Sequence, residues 1–293
     1  MIMRAADVAD YDHSFEVGIV CLLATFIGNG VHSSFAKLAN KDAAPAVYTL
    51  YLSLGLFLGC TAVVAIMGQP FQVTWLGLLG GLLLCLSVTC YIRAILLVGM
   101  VWTDMLTASS ATIVSFLWGK LYLREPSRNA SGIAIGLLLL LFGISGISSV
   151  LLHRLRNLKR TEGSAELRQL VSGLFLAACA GILGGTCFPV NKLQPPSQQG
   201  VTFVWTQALG MLITQLFLVL LAVSHDLCNR TKAKTDEDLA DESDCTTPHT
   251  IVLGRWQPSS LIHLGVAQSI VLGLTNLTTT IAALSPIGIG VAQ

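Results

Sequence analysis

Charge is what this chain has least of. Only 11% of its 293 residues are Asp, Glu, Lys or Arg, against 53% that are hydrophobic. A soluble domain carries roughly 25% charged residues to hold its surface in water. Mean hydropathy is +0.71, a value that leaves a water-exposed surface of this size uncovered. Lipid solvates apolar side chains directly, so the same composition suits a bilayer. A soluble globule is excluded and a polytopic membrane protein is implied.

Other absences narrow the function. The formal net charge is +1, and basic residues cluster only locally, which gives nucleic acid no surface to bind. There is no HExxH, no GxSxG and no phosphate-binding loop, and none of the six histidines is spaced as a metal pair with another. An enzyme, a metal site and a cofactor are therefore not expected. No CxxC occurs, and most of the eight cysteines lie in apolar runs, where a thiol behaves as a small hydrophobe. Cys228 and Cys245 fall in a polar stretch, and the sequence leaves open whether they pair. The first sixteen residues hold Asp7, Asp10, Asp12 and Glu16 but only Arg4, unlike the basic start of a secretory signal.

What is present is a series of apolar runs, each near the roughly 20 residues needed to cross about 30 Å of hydrocarbon. They are Val17–Leu38, Ala46–Met67, Trp75–Val98, Trp102–Leu123, Gly132–Leu152, Ser172–Leu193, Thr202–Ser224 and Leu261–Leu284. Runs of this length must be helices, because a lipid-embedded helix satisfies its own backbone, and they are too long for barrel strands. The fold class is all-α. Polar segments divide the chain into a tail over 1–16, a basic connector over 153–171 and an insert, Asp226–Arg255. The insert contains KTDEDLADESD and too little apolar surface to fold alone, so 226–260 is expected to be a disordered loop.

The order of features recurs. Val17–Leu38 and Ser172–Leu193, laid together without gaps, share Gly18/Gly173, Gly30/Gly185, Lys37/Lys192 and Leu38/Leu193. A cleanly apolar run follows each, and the polar insert accounts for the extra length of the second half. The expected domains are a five-helix repeat over 17–152 and a second over 172–293. An odd number of spans inverts the second copy, giving a 5+5 inverted-repeat carrier fold. After Pro286 the chain reads IGIGVAQ and stops at Gln293, so the last one to two helices of that fold are expected to be missing.

Two motifs carry a family resemblance. GGTCFPVNKL (184–193) is similar to the Gly-rich, Phe/Val-Pro, Lys-ending motif in the opening helices of the transmembrane protein 144 family of presumed carbohydrate transporters. SFLWGKLYLREPS (115–127), followed by a long apolar helix, is similar to the end of a first repeat in the drug/metabolite transporter superfamily of EamA-like, ten-helix carriers. The first repeat departs from the pattern at Ser34-Phe35-Ala36, where a Pro would stand. The resemblance implies a secondary transporter that moves a sugar or related polar metabolite by alternating access. It also implies cytosolic termini, whereas the distribution of Lys and Arg points the amino terminus outward, so orientation stays open. The alternative is a non-transporting or truncated carrier derivative with a scaffolding or regulatory role. Its partners would be the bilayer, a small sugar-like solute and, in one assembly, a second copy as a homodimer. Plasma membrane and endomembrane are not distinguished.

Candidate solute contacts follow from polar groups inside the spans. Arg93 and Asp104 are charges at sites where insertion costs roughly 2.5–3.5 kcal/mol each. They form a pair lining the solute path, or else Asp104 caps a helix and Arg93 snorkels. Asn29 and His32, three residues apart, share one helix face and either meet solute or bond to a neighbouring helix. Thr186 and Asn191 play the matching part in the second half, and Asn276, with Thr275 and Thr278, either lines the same cavity or bonds to helical carbonyls. Gly28, Gly30, Gly184, Gly185 and Pro189 are the expected hinge positions, with Pro189 removing a backbone donor and freeing a carbonyl. Gly77–Gly81 and Gly132–Gly136 have the spacing of close helix crossings.

Overall fold

A computed structural model describes residues 19–21, 23–24, 27–28, 45–124, 131–132, 135–136, 138–139, 142–143, 145–146, 149, 164–195, 198–237, 268, 270–273 and 275. Among the described residues there is no strand, and five helical stretches are long and apolar enough to cross a membrane. The chain is an all-helical, multi-pass membrane protein. Helix α1 is Pro45–Ile66, α2 Trp75–Val98, α3 Met100–Leu117, α4 Ser164–Cys187 and α5 Val201–Glu237. The described residues of the spans Val17–Leu38, Gly132–Leu152 and Leu261–Leu284 are helical as well.

Local chemistry sets the ends. Proline at the first position of α1 sacrifices no helical hydrogen bond. Thr74 caps α2, its Oγ1 accepting from the Gly77 N–H at 3.2 Å. Gly99 ends α2 at φ 86°, ψ 161°, a conformation essentially closed to other residues. The next residue already begins α3, so one glycine reverses the chain. Beyond Leu117 the helix widens into a π-helical turn, Trp118–Tyr122, in which the Leu123 N–H donates to the Trp118 carbonyl at 2.9 Å.

Several boundaries differ from the hydropathy reading, among them the ends of α3 at Leu117 and of α4 at Cys187. Helix α3 begins at Met100 rather than Trp102. Helix α4 begins at Ser164 and takes in the end of the basic connector. Helix α5 runs on to Glu237, so the front of the segment expected to be a disordered loop is helical. The cause is the same for the start of α4 and the end of α5. Ala, Glu, Leu, Arg and Lys are strong helix formers, and adding a residue to an existing helix costs far less than starting one. Hydropathy marks where a helix meets water, not where it stops.

Packing follows the small residues. Lipid tails are as apolar as leucine, so helices associate in a membrane through close contact and interhelical hydrogen bonds. Helices α2 and α3 touch sparsely, because α4 packs against both. Against α2, the Ser87 hydroxyl donates to the Ala180 carbonyl at 2.8 Å, and a Cβ on Gly173 would strike Val98 at 2.5 Å. These pairings make α2 and α4 antiparallel. Against α3, the Thr107 hydroxyl donates to the Ala177 carbonyl at 3.0 Å and Ser115 to that of Gly185 at 3.1 Å, a parallel pairing. Gly181 and Gly185 allow that approach, since a Cβ on either would meet α3 backbone at 2.4 and 2.7 Å.

Helix α5 packs on the other face of α2 and on α1. The expected close crossing at Gly77–Gly81 is formed here. A Cβ on Gly81 would lie 2.3 Å from the Gln207 carbonyl, and one on Gly210 would lie 2.6 Å from that of Leu78. Helix α1 runs antiparallel to α5. The Trp205 indole donates to Thr61 Oγ1 at 3.0 Å, and Gln215 Nε2 donates to Thr49 Oγ1 at 2.6 Å. The apolar core therefore lies between α1, α2 and α5, with Leu52, Leu56, Phe203 and Met211 at its centre.

Candidate functional site

The break at the end of α4 is the first functional feature. Helix α4 stops at Cys187, Phe188 forms a turn, and a short helical turn, Pro189–Lys192, follows. Pro189 has no N–H to give the Gly185 carbonyl four residues earlier. That carbonyl is taken instead by the Ser115 hydroxyl from α3. The Gly184 carbonyl likewise accepts from Cys187 Sγ at 3.0 Å. The carbonyl freed by the proline thus ties α4 to α3. Gly184 and Gly185 lie within continuous helix, facing Ser87 of α2 and Ala111 of α3.

Beyond the break, Asn191 is 3% exposed, and its Oδ1 has no hydrogen-bond partner among the described residues. Thr186 is half-buried and donates to the Ile182 carbonyl of its own helix at 2.7 Å. Of the two expected charges, Arg93 is exposed on α2. Asp104 is half-buried in the first turns of α3 and accepts a hydrogen bond from the Tyr91 hydroxyl of α2. No ion pair joins Arg93 to Asp104. Gly28 lies against Thr275, whose Oγ1 would be 2.2 Å from an added Cβ. Asn29, Gly30, His32 and Asn276 lie outside the described residues.

The polar groups at the core lie on α5. Phe203, Gln207, Met211 and Gln215 follow at four-residue spacing and are all within 1% of full burial, so they form one stripe. Gln215 is satisfied. It donates to the Ala46 carbonyl at 3.0 Å and to Thr49, and accepts from Cys85 Sγ at 3.2 Å. Gln207 is satisfied only weakly. Its carboxamide lies within hydrogen-bonding reach of the Cys187 thiol, a weak partner, and meets no nitrogen or oxygen partner among the described residues. Neither glutamine stands out in the sequence. The available signal was two carboxamides eight residues apart on one face of an otherwise apolar run.

Among the described residues, no group of three or more His, Cys, Asp or Glu side chains is arranged to hold a metal. Every buried polar side chain described is a hydroxyl or a carboxamide. Comparison with protein-family models, curated proteins and solved structures gave no significant match, so function rests on the geometry.

Proposed function

We propose that this protein is a secondary carrier that moves a sugar or related polar metabolite by alternating access between two inverted halves. The observation that carries this is a burial pattern repeated at the offset that separates Gly30 from Gly185. On α1 the buried stripe is Tyr48, Leu52, Leu56 and Cys60, and at that offset on α5 it is Phe203, Gln207, Met211 and Gln215. The two helices are antiparallel and packed together, as inverted equivalents in a carrier would be.

Neighbouring contacts support the same relation. Helix α2 packs on α4 and α5. In the corresponding places, Thr275 lies against Gly28 and Gly273 lies 3.4 Å from Leu56 of α1, measured from an added Cβ. The broken end of α4 and the polar stripe of α5 then lie near the axis about which the halves would rock.

Reconstitution of the full chain into liposomes tests the proposal. Saturable uptake of at least one labelled neutral monosaccharide or polyol, exceeding that of protein-free liposomes, is the expected result. A correctly inserted chain that moves none of them would instead have a scaffolding role.

A further inference from the structure

We propose that the connection between α1 and α2, residues 67–74, is a latch that closes one end of the molecule by gripping Trp205 of α5. The latch rests on the carrier function above and names the contacts that must break for that end to open. The connection is a built turn. Gly68 takes φ 62°, the Gln69 N–H donates to the Val64 carbonyl at 3.1 Å, and the Gln72 N–H donates to the Pro70 carbonyl at 3.0 Å.

Three contacts run from the first half of the chain, at this end, to the second. The Phe71 ring meets Trp205 edge to face, with centroids 5.3 Å apart and planes at 69°, a favoured aromatic geometry. Phe57 of α1 stands on the indole as well, at 6.3 Å, and the indole N–H donates to Thr61 Oγ1 at 3.0 Å. Trp205 is only 8% exposed as a result, although it stands in the second turn of α5. One residue on, the buried Thr206 hydroxyl is shared between the Gln72 carbonyl at 3.0 Å and the Thr202 carbonyl at 2.9 Å. Beyond the break in α4, the Gln194 carboxamide lies 3.0 Å from Thr74 Oγ1, and Gln199 Nε2 donates to the Gln194 carbonyl at 2.6 Å.

The chemistry of these contacts suits a closure that releases. The fixed crossing of α2 and α5 sets backbone against backbone at Gly81 and Gly210. The latch instead joins side-chain ends and one carbonyl of a turn. Hydroxyls, carboxamides and an indole N–H all find water when exposed, so opening leaves no polar group unsatisfied. Phe71 is already 53% exposed while closed, which lowers the apolar area that opening adds.

The test measures access behind the latch. The full chain, with its eight native cysteines replaced, carries Ala208→Cys, a position 1% exposed and one turn deeper on α5 than Trp205. A membrane-impermeant maleimide is applied to sealed liposomes from the side of the α1–α2 connection. Thr61→Val removes the acceptor of the indole at nearly constant volume and is expected to speed labelling about 2–10-fold. Trp205→Ala removes the ring as well and is expected to speed it further. Labelling from the opposite side is expected not to rise. Unchanged labelling in Thr61→Val and Trp205→Ala overturns the latch, as does an equal rise from both sides, which marks a loosened fold. In a chain that keeps Ala208, Phe71→Cys and Trp205→Cys joined by a short bismaleimide are expected to stop uptake of labelled D-glucose. Latch-dependent labelling without uptake in any chain would keep the latch and remove the carrier function. Uptake at the full rate with the turn cross-linked would do the reverse.

Discussion

Gly81→Leu is expected to abolish the folded bundle. A single Cβ at this position would sit 2.3 Å from the Gln207 carbonyl oxygen and 2.5 Å from the Met211 nitrogen, both backbone atoms of α5. Neither can turn aside as the end of a flexible side chain can, so the helices must separate. Separation would also disturb the Cys85–Gln215 contact farther along the same interface. Overpacking a core costs about 1–3 kcal/mol and occasionally more, and leucine adds a full side chain where one carbon already collides. We expect Gly81→Ala to lose about 1–3 kcal/mol and Gly81→Leu to elute as aggregate in fluorescence-detected size exclusion. Gly59→Ala is the control. A Cβ there meets nothing within 4 Å, and Gly→Ala within a helix gains roughly 0.5–1 kcal/mol. Equal behaviour of the two alanine variants would contradict the α2–α5 crossing.

The second large effect is expected at Gly99, for a different reason. Space is not limiting, since a Cβ at Gly99 also meets nothing within 4 Å. The backbone is limiting. At φ 86° and ψ 161° the residue occupies a region essentially reserved for glycine. Any side chain there costs about 1–3 kcal/mol in backbone strain. Relief would require α2 and α3 to change their angle, and α4 is held between them by the Ser87, Thr107 and Ser115 hydrogen bonds. Gly99→Ala and Gly99→Val are therefore expected to lose similar, large amounts of thermal stability. If valine were far worse than alanine, the cause would be crowding and not the dihedral angles.

Some of this was legible in the sequence. Helix α2 matched Trp75–Val98 to the residue because Thr74 and Gly99 punctuate an apolar run at both ends. The starts and ends of α4 and α5 were less legible, since their helices continue into polar sequence where hydropathy falls silent. Glycine spacing announced a close crossing at Gly77–Gly81, but not which helix would arrive there. Partner choice depends on complementary gaps, such as the place of Gly210 against Leu78. The charges stand out in the sequence because placing them in hydrocarbon is expensive; Arg93 is exposed on α2, and Asp104 meets Tyr91. Gln207 does not stand out. Whether a carboxamide in an apolar run links helices, as Gln215 does, depends on its tertiary partners, which the sequence does not display.

Alternating access of the α1–α5 core is the central claim, and Ser53 allows the most direct measurement of it. Ser53 is fully buried near the middle of α1, and cysteine is nearly its isostere. The eight native cysteines would be replaced, Ser53→Cys introduced, and a membrane-impermeant thiol reagent applied to each side of sealed vesicles in turn. The carrier account predicts labelling from both sides, each slowed by a transported neutral solute. Labelling from neither side, or from one side only with or without solute, would contradict it.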